Sequence, residues 1–267
     1  MMPEKIGIDA GGSLIKIAYE EQGDFHVMSY RNHEMNKLLE WLQMVKPDAV
    51  LYLTGGKSGH IQKQVNLRNH VVDEFTAVTK GTKFLLQQKK PSFDEDFILV
   101  SIGTGTSIFH VTPDNSKRVL GSGIGGGTLM GLGSLLTGRN DFHHIIELAK
   151  KGSNENSDLL VKDIYSPYDP PIPGHLTAAN FGKAHLNAKA RVEDHVAGLI
   201  QLLGETIISL AGQAAISHQT EKVVFVGSTL NGNAPLKEVL SGFQNMMPYE
   251  PIFPEKGSHA GAIGALL

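Results

Sequence analysis

Two stretches of this chain share one pattern. "GIDAGGSLIKI" (7–17) and "SIGTGTSIFHV" (101–111) each run from an apolar strand through a turn of small residues into a second strand. Aligning Ile8 with Ile102 sets Gly11 on Gly105, Ser13 on Ser107 and Leu14 on Ile108. Two such hairpins predict a duplicated fold whose halves face each other across a cleft, although similar hairpins also recur by chance. The surrounding pattern agrees with an α/β chain. Alternating or continuous apolar runs predict strands near 4–9, 13–20, 24–29, 49–54, 97–102, 106–111 and 222–227. Helical spacing predicts helices over 35–46, 75–89, 128–137, 141–151, 192–219 and 258–267. Strands come first and then alternate with helices, which argues α/β. The polar, proline-rich segment 152–174 predicts an ordered excursion or a lid.

Composition removes several function classes. The 267 residues carry a formal charge of −3 with both signs scattered, and no basic stripe marks a nucleic-acid surface. Uninterrupted apolar runs fall short of the ~20 residues of a membrane span, and the N-terminus leads into a strand without a signal-peptide core. The chain has no cysteine. Disulfides, thiol nucleophiles and thiolate metal sites are therefore excluded, and a cytoplasmic setting is expected. Thirty glycines cluster in a few loops, and the loops carry the information.

In the first hairpin, glycines leave backbone amides free to approach phosphate oxygens. Asp9 gains nothing from phosphate itself, so its useful role is to hold hydrated magnesium. Lys16, on the second strand, could neutralise phosphate charge. An ordinary hairpin with Gly-Gly in its turn fits the same residues. In the second hairpin, Gly103-Thr104-Gly105-Thr106 offers hydroxyls and amides as a neutral phosphate cradle, again against a plain tight turn. "RVLGSGIGGGTLMGLG" (118–133) places glycines before a helical run, where anions collect. Its Gly121, Gly123 and Gly126 satisfy a dinucleotide fingerprint but lack the βαβ setting that gives the motif meaning. "LTGGKSG" (53–59) imitates the end of a P-loop, yet the earlier glycine is replaced by Leu51, which favours an ordinary loop. "VVFVGSTLNGN" (223–233) is a buried strand whose terminal loop could meet an adenine ring. Asp73 and Glu74 precede an apolar-patterned helix. Each could be a partner of the helix dipole or a general base for a hydroxyl nucleophile. No zinc-type histidine spacing occurs among the twelve histidines.

Taken together, "DAGGSLIK", "GTGTS" and the late "VGS" resemble the actin-like ATPase superfamily, which also holds sugar kinases. With "EF-x-A" at 74–77, "RVLGSGIGGGTLMGLG" and "PPIPGHLTAANFGK" (170–183), the chain is similar over nearly its whole length to the bacterial type II pantothenate kinases. That resemblance implies a duplicated actin-like fold and ATP-dependent phosphorylation of pantothenate to 4′-phosphopantothenate, with Mg²⁺, by a homodimer. It implies an N-terminal half over 1–95 and a C-terminal half over 96–267 that carries the dimer helix, 192–219.

By position, the resemblance implies that Asp9, Ala10, Gly11, Gly12, Ser13, Leu14, Ile15 and Lys16 form the first phosphate loop, with Asp9 at the metal. Thr104, Gly105 and Thr106 form the second. Gly126, Gly127, Thr128, Leu129 and Met130 flank the nucleotide, with Phe142 near it and Ser228 in the late loop. Glu74 matches the catalytic glutamate because it precedes Phe75 and Ala77, a register that Asp73 does not fit. Arg118 matches an arginine at substrate and phosphate. Ser13 departs from the commoner threonine, and Ile124 interrupts the glycine loop. For 170–183 no chemical role follows. A sugar kinase of the same superfamily and an ATP-driven switch such as a dehydratase activator are the rival readings. The activators hold a cysteine-bound cluster, which this chain cannot build.

Overall fold

The computed structural model describes residues 4–267; residues 1–3, which the N-terminal expectation includes, lie outside the described residues. The first part of the chain forms β1 (Lys5–Ala10), β2 (Leu14–Glu21), β3 (Asp24–Arg31), α1 (Met35–Val45), β4 (Val50–Thr54), α2 (Ser58–Gln62), β5 (Asn69–Val71) and α3 (Glu74–Lys89). The second forms β6 (Phe97–Ile102), β7 (Thr106–Val111), β8 (Ser116–Ser122), α4 (Gly126–Thr137) and α5 (Phe142–Ala149). An excursion follows, with β9 (Leu159–Leu160), α6 (Val161–Tyr165) and β10 (Thr177–Ala179). The chain closes with α7 (Val192–Ser217), β11 (Lys222–Val226), α8 (Ala234–Ser241), β12 (Glu250–Ile252) and α9 (Ala260–Leu266).

The two large sheets repeat one plan. Their strand orders are β3-β2-β1-β4-β5 and β12-β11-β6-β7-β8. In each, an antiparallel three-strand meander is extended beyond its first strand by two parallel strands. The duplication thus holds at the level of topology. The residue-by-residue alignment of the hairpins does not. Ile8 pairs with Ile17 while Ile102 pairs with Thr106, so the first turn spans 11–14 and the second only 103–105. A strand pair fixes its register by its turn, and the shorter turn shifts every partner.

The layers explain why the small residues lie where they do. Ile6, Ile8, Ile15, Ile17, Leu51 and Leu53 pack beneath Leu38 and Leu42 of α1 on one face of the first sheet. On its other face lie α3 and α9, which also cover the second sheet through Leu86 and Ala260, with Phe93 from the loop after α3, against Phe97, Leu99 and Phe109. These two helices run so close that a Cβ at Gly81 or Gly264 would collide with the carbonyls of Ala260 and Ala77, respectively. The last helix therefore returns to the first sheet, where Gly7 has no room for a side chain against Ala262.

The remaining face of the second sheet is covered by α4, α5, α7 and α8. Val196, Leu199, Ile200, Leu203, Ile207, Ile208 and Ala211 of α7 are all buried in that core. By length and mean hydropathy α7 could cross a membrane, which amends the sequence reading of short apolar runs. Its apolar face is already used inside the protein. Its hydrophobicity therefore no longer speaks for a subunit interface.

Candidate active site

The two turns meet at the open edge between the sheets. Asp9 and Lys16 are directly opposite on β1 and β2, and Lys16 Nζ donates to Asp9 Oδ2 at 2.9 Å. Cross-strand opposite charges at this spacing reinforce the hairpin. Among the described residues Asp9 Oδ1 has no hydrogen-bond partner, so one carboxylate oxygen is left for a hydrated cation. Gly261, next to the start of α9, lies against this group; a Cβ there would stand 2.9 Å from Asp9 Oδ2. The two turns touch where Ser13 Oγ is 3.3 Å from Thr104 Oγ1. The amides of Gly12, Ser13, Thr104 and Gly105 have no intramolecular acceptor among the described residues. Four such donors from two facing turns fit an anionic, phosphate-bearing ligand.

The adjacent acids at the start of α3 divide by geometry. Asp73 is the N-cap: its Oδ1 accepts from Thr76 N at 2.8 Å and from the Thr76 hydroxyl at 2.9 Å. The backbone bond, chiefly, holds its pKa below the ordinary carboxylate value. The carboxylate of Glu74, one residue on, accepts no hydrogen bond among the described residues. Its side chain keeps a solvent-facing surface, yet the cleft walls around it desolvate the carboxylate and push its pKa up, and the Asp9 charge adds to this. The Lys16 charge pulls the other way. A carboxylate free of partners and raised towards neutrality is suited to accept a proton.

Arg118 reaches the same place from β8. Ile108 pairs with Leu120 but Phe109 pairs with Arg118, so Val119 is the extra residue of a β-bulge. The guanidinium lies 5.5 Å from the centre of the Phe75 ring, donates through Nε to Ser107 Oγ at 3.3 Å and runs over Gly121, where a Cβ would collide with it. Phe75 in turn packs edge-on to Phe109 at 5.3 Å. The residue after the candidate base is thus the platform for the arginine.

Comparison with known proteins places these features in a family. A family model described as Fumble matches residues 5–267. A protein of Oceanobacillus iheyensis named Type II pantothenate kinase is 46% identical over 264 residues, covering 99% of each chain. This chain belongs to the type II pantothenate kinase family. Solved structures show the same fold at greater distance. The activator of the 2-hydroxyisocaproyl-CoA dehydratase from Clostridium difficile, with bound ADPNP, has a TM-score of 0.65 at 16% identity, covering 98% of this chain and 92% of that one. A ROK family glucokinase from Streptomyces griseus, in complex with glucose and AMPPNP, has 0.53 at 13%, covering 98% of both chains. At such identities the likeness is one of fold, the duplicated actin-like ATPase architecture.

In this type II pantothenate kinase family member, the sites implied by resemblance do not all offer what was expected of them. Ala10 and Ile15 are buried in the sheet and present only backbone. Of the two threonines in the second turn, Thr104 is exposed. Thr106 is buried, and its hydroxyl donates to Ile124 O at 2.7 Å. The expected pair of free hydroxyls is therefore one. The amides of Gly126 and Gly127 donate to Gly103 O and Thr104 O, both at 2.8 Å, so they hold the second turn rather than standing open for an anion. Leu129 is fully buried, Thr128 caps its own helix through Gly123 O at 2.8 Å, and Met130 is half-buried beside the core. Phe142 opens α5 and also packs on the core. Ser228 opens the turn after β11, where Gly227 has φ +110° and lies against Ile102.

Other residues reach the site that the sequence did not assign to it. Thr229 Oγ1 donates to Gly103 O at 2.9 Å and ties the late loop to the second turn. Asn32 and Lys57 both reach the first turn, although 53–59 reads in sequence as a plain loop. The motif at 170–183 has a structural role: Phe181 N donates to buried Asp158 at 2.7 Å, and Asn180 donates to Glu205 at 2.8 Å. The first bond closes the excursion on itself, and the second fastens it to α7.

Proposed function

We propose that this chain transfers the γ-phosphoryl group of ATP to the primary alcohol of pantothenate, giving 4′-phosphopantothenate and ADP at the first step towards coenzyme A. The observation that carries the reading is Glu74. Among the described residues its carboxylate has no hydrogen-bond or salt-bridge partner, its pKa is raised, and it lies beside the Asp9–Lys16 pair and one residue from the platform of Arg118. The name of the 46%-identical Oceanobacillus relative supplies the alcohol.

Each group then has a task. The free amides of the two turns bind the nucleotide phosphates between the halves, 1–95 and 96–267. Asp9 Oδ1 orients hydrated Mg²⁺, which supplies neutralisation of phosphate charge when bound. Glu74 accepts the proton of the substrate hydroxyl as that oxygen bonds to the γ-phosphorus and the bond to the β,γ-bridging oxygen breaks. The proton then passes to solvent. Arg118 balances charge on the transferring group. Phosphoryl transfer of this kind depends mostly on positioning and electrostatics.

The enzyme acts as a cytoplasmic homodimer without nucleic-acid or membrane partners. Apolar surface for subunit contact is offered by Tyr168, Ile172 and Leu186 of the excursion, all well exposed, rather than by α7. Light scattering at micromolar concentration should give twice the chain's 28.9 kDa; a monomer mass refutes the dimer.

An ATP-coupled assay across pantothenate, pantetheine and N-acetylglucosamine tests the activity itself. Turnover of pantothenate is expected. Turnover of the sugar alone overturns the reading in favour of a sugar kinase.

A further inference from the structure

The loop 53–59 holds the first turn from behind. The Gly12 carbonyl accepts from Asn32 Nδ2 at 2.6 Å and from Lys57 Nζ at 2.8 Å. The amide of Lys57 donates to Ala10 O at 2.9 Å. Gly55, at φ +87°, lies so near that a Cβ would stand 2.6 Å from Ala10 O and 2.7 Å from Asp9 Oδ1. This close approach and the left-handed backbone both require glycine there.

A trans peptide is planar, so its carbonyl and the next N–H point in opposite directions. Two donors on the Gly12 carbonyl therefore orient the Ser13 N–H to the side away from Lys57. That amide is one of the four without an acceptor among the described residues. We propose that Lys57 and Asn32 are positioning residues that hold the Gly12–Ser13 peptide so that the Ser13 amide is presented to a nucleotide phosphate. The proposal rests on the kinase reading above only in taking a nucleotide as the ligand. It assigns no contact between Lys57 and substrate: the ammonium is already engaged by the carbonyl. Asn32 acts on the same oxygen as a neutral donor, which separates orientation of the peptide from simple attraction by charge.

The test is calorimetric titration of ADP, with no alcohol substrate present, into wild type, Lys57→Met, Lys57→Arg and Asn32→Ala. Losing a charged donor typically weakens an interaction by about 10–100-fold and a neutral one by about 2–10-fold. ADP affinity should fall by those factors in Lys57→Met and Asn32→Ala. Lys57→Arg should regain most of the loss. The KM for pantothenate should stay near wild type while that for ATP rises, a split that general loosening of the fold does not produce. The rise in Tm on adding ADP should shrink in step with affinity.

Two outcomes overturn the proposal. One is ADP binding as tight as wild type in both Lys57→Met and Asn32→Ala, whatever their Tm. The other is weakening confined to Lys57→Met with Asn32→Ala normal, which would make charge alone responsible. Should Lys57→Met not fold, Asn32→Ala and Lys57→Arg decide between these results. A wild type that binds ADP but phosphorylates only a sugar would sink the pantothenate reading and leave this proposal standing.

Discussion

The turns at 11–14 and 103–105 sit at equivalent places in two sheets of the same order, yet they are held by different balances of contacts. Side chains hold the first: the Asp9–Lys16 pair at 2.9 Å and the Asn32 and Lys57 donors on Gly12 O. Backbone and close packing hold the second: the amides of Gly126 and Gly127 on its carbonyls, the Thr229 hydroxyl on Gly103 O, and Gly125 pressed against Gly105. A turn held by charged side chains can carry chemistry and tolerate exchange. A turn held by backbone contact keeps its shape but has no slack for even one methyl group.

The largest expected effect tests whether chemistry belongs to the charged side. Glu74→Gln keeps the shape and cannot accept a proton, so kcat should fall by about 10²–10⁴-fold with ADP affinity nearly unchanged. Asp73→Asn is the control. Asparagine caps a helix about as well as aspartate, so turnover should stay near wild type. Steady-state kinetics on both variants check this, and an inactive Asp73→Asn beside a normal Glu74→Gln reverses the assignment.

Asp9→Asn comes next. Loss of a group that orients a metal's hydration shell should lower magnesium-dependent turnover by roughly 10–100-fold, while thermal unfolding shows an intact fold. The variant also sharpens the link between Asp9 and Glu74. In wild type the base has its pKa above the ordinary 4.5, so the acid limb of kcat/KM should lie above that value. Removing the Asp9 charge should move this limb to lower pH. An unmoved limb at measurable activity would separate the two groups.

The third effect is on stability and compares Gly125, which packs against the second turn, with Gly12 in the first. At Gly125 an added Cβ would stand 2.8 Å from Gly105 C and Thr104 O, both backbone. Overpacking of this kind typically costs ~1–3 kcal/mol, so Gly125→Ala should lower the urea midpoint clearly. At Gly12 the nearest atom is the Thr104 hydroxyl, at 2.7 Å, on an exposed side chain that can rotate, and the cost should be only about 0.5 kcal/mol. Equal losses at the two positions would erase the contrast between the turns.

The smallest effect concerns stability against pH. Because the folded-state pKa of Glu74 is raised, the group favours the fold below its unfolded value of 4.5. That contribution is lost as pH rises through the folded-state pKa. Glu74→Gln should therefore be slightly more stable than wild type at pH 7, with the gain shrinking below pH 4.5. Urea titrations at pH 7 and pH 4 read the difference, and a variant less stable at pH 7 contradicts the desolvated, partnerless carboxylate.

Much of the architecture was legible from periodicity. The seven strands β1–β4, β6, β7 and β11 stand out as apolar runs, and α1, α3, α4, α5, α7 and α9 as helical spacing. β5, β8 and β12 escaped because they are short or largely exposed and read as polar, whereas the edge strand β3 keeps an apolar alternation through Phe25 and Val27. Asp9 and Lys16 each stood out in the sequence as charged groups beside the first turn, but their pairing came only from the strand register. Asn32 and Lys57 did not stand out, since they reach Gly12 from 20 and 45 residues away.

By itself, the sequence determined the α/β class, the two glycine turns, the absence of thiol chemistry and, through its motifs, the family to which the chain belongs. Only the tertiary structure decided which amides those turns leave open, that Thr106 is spent on Ile124, that Asp73 caps a helix while Glu74 stays free, and that α7 fills the core. The physical reason is range. Apolar periodicity and turn composition act between neighbours in the chain, whereas a polar group's availability depends on every distant segment that folding brings within hydrogen-bond reach.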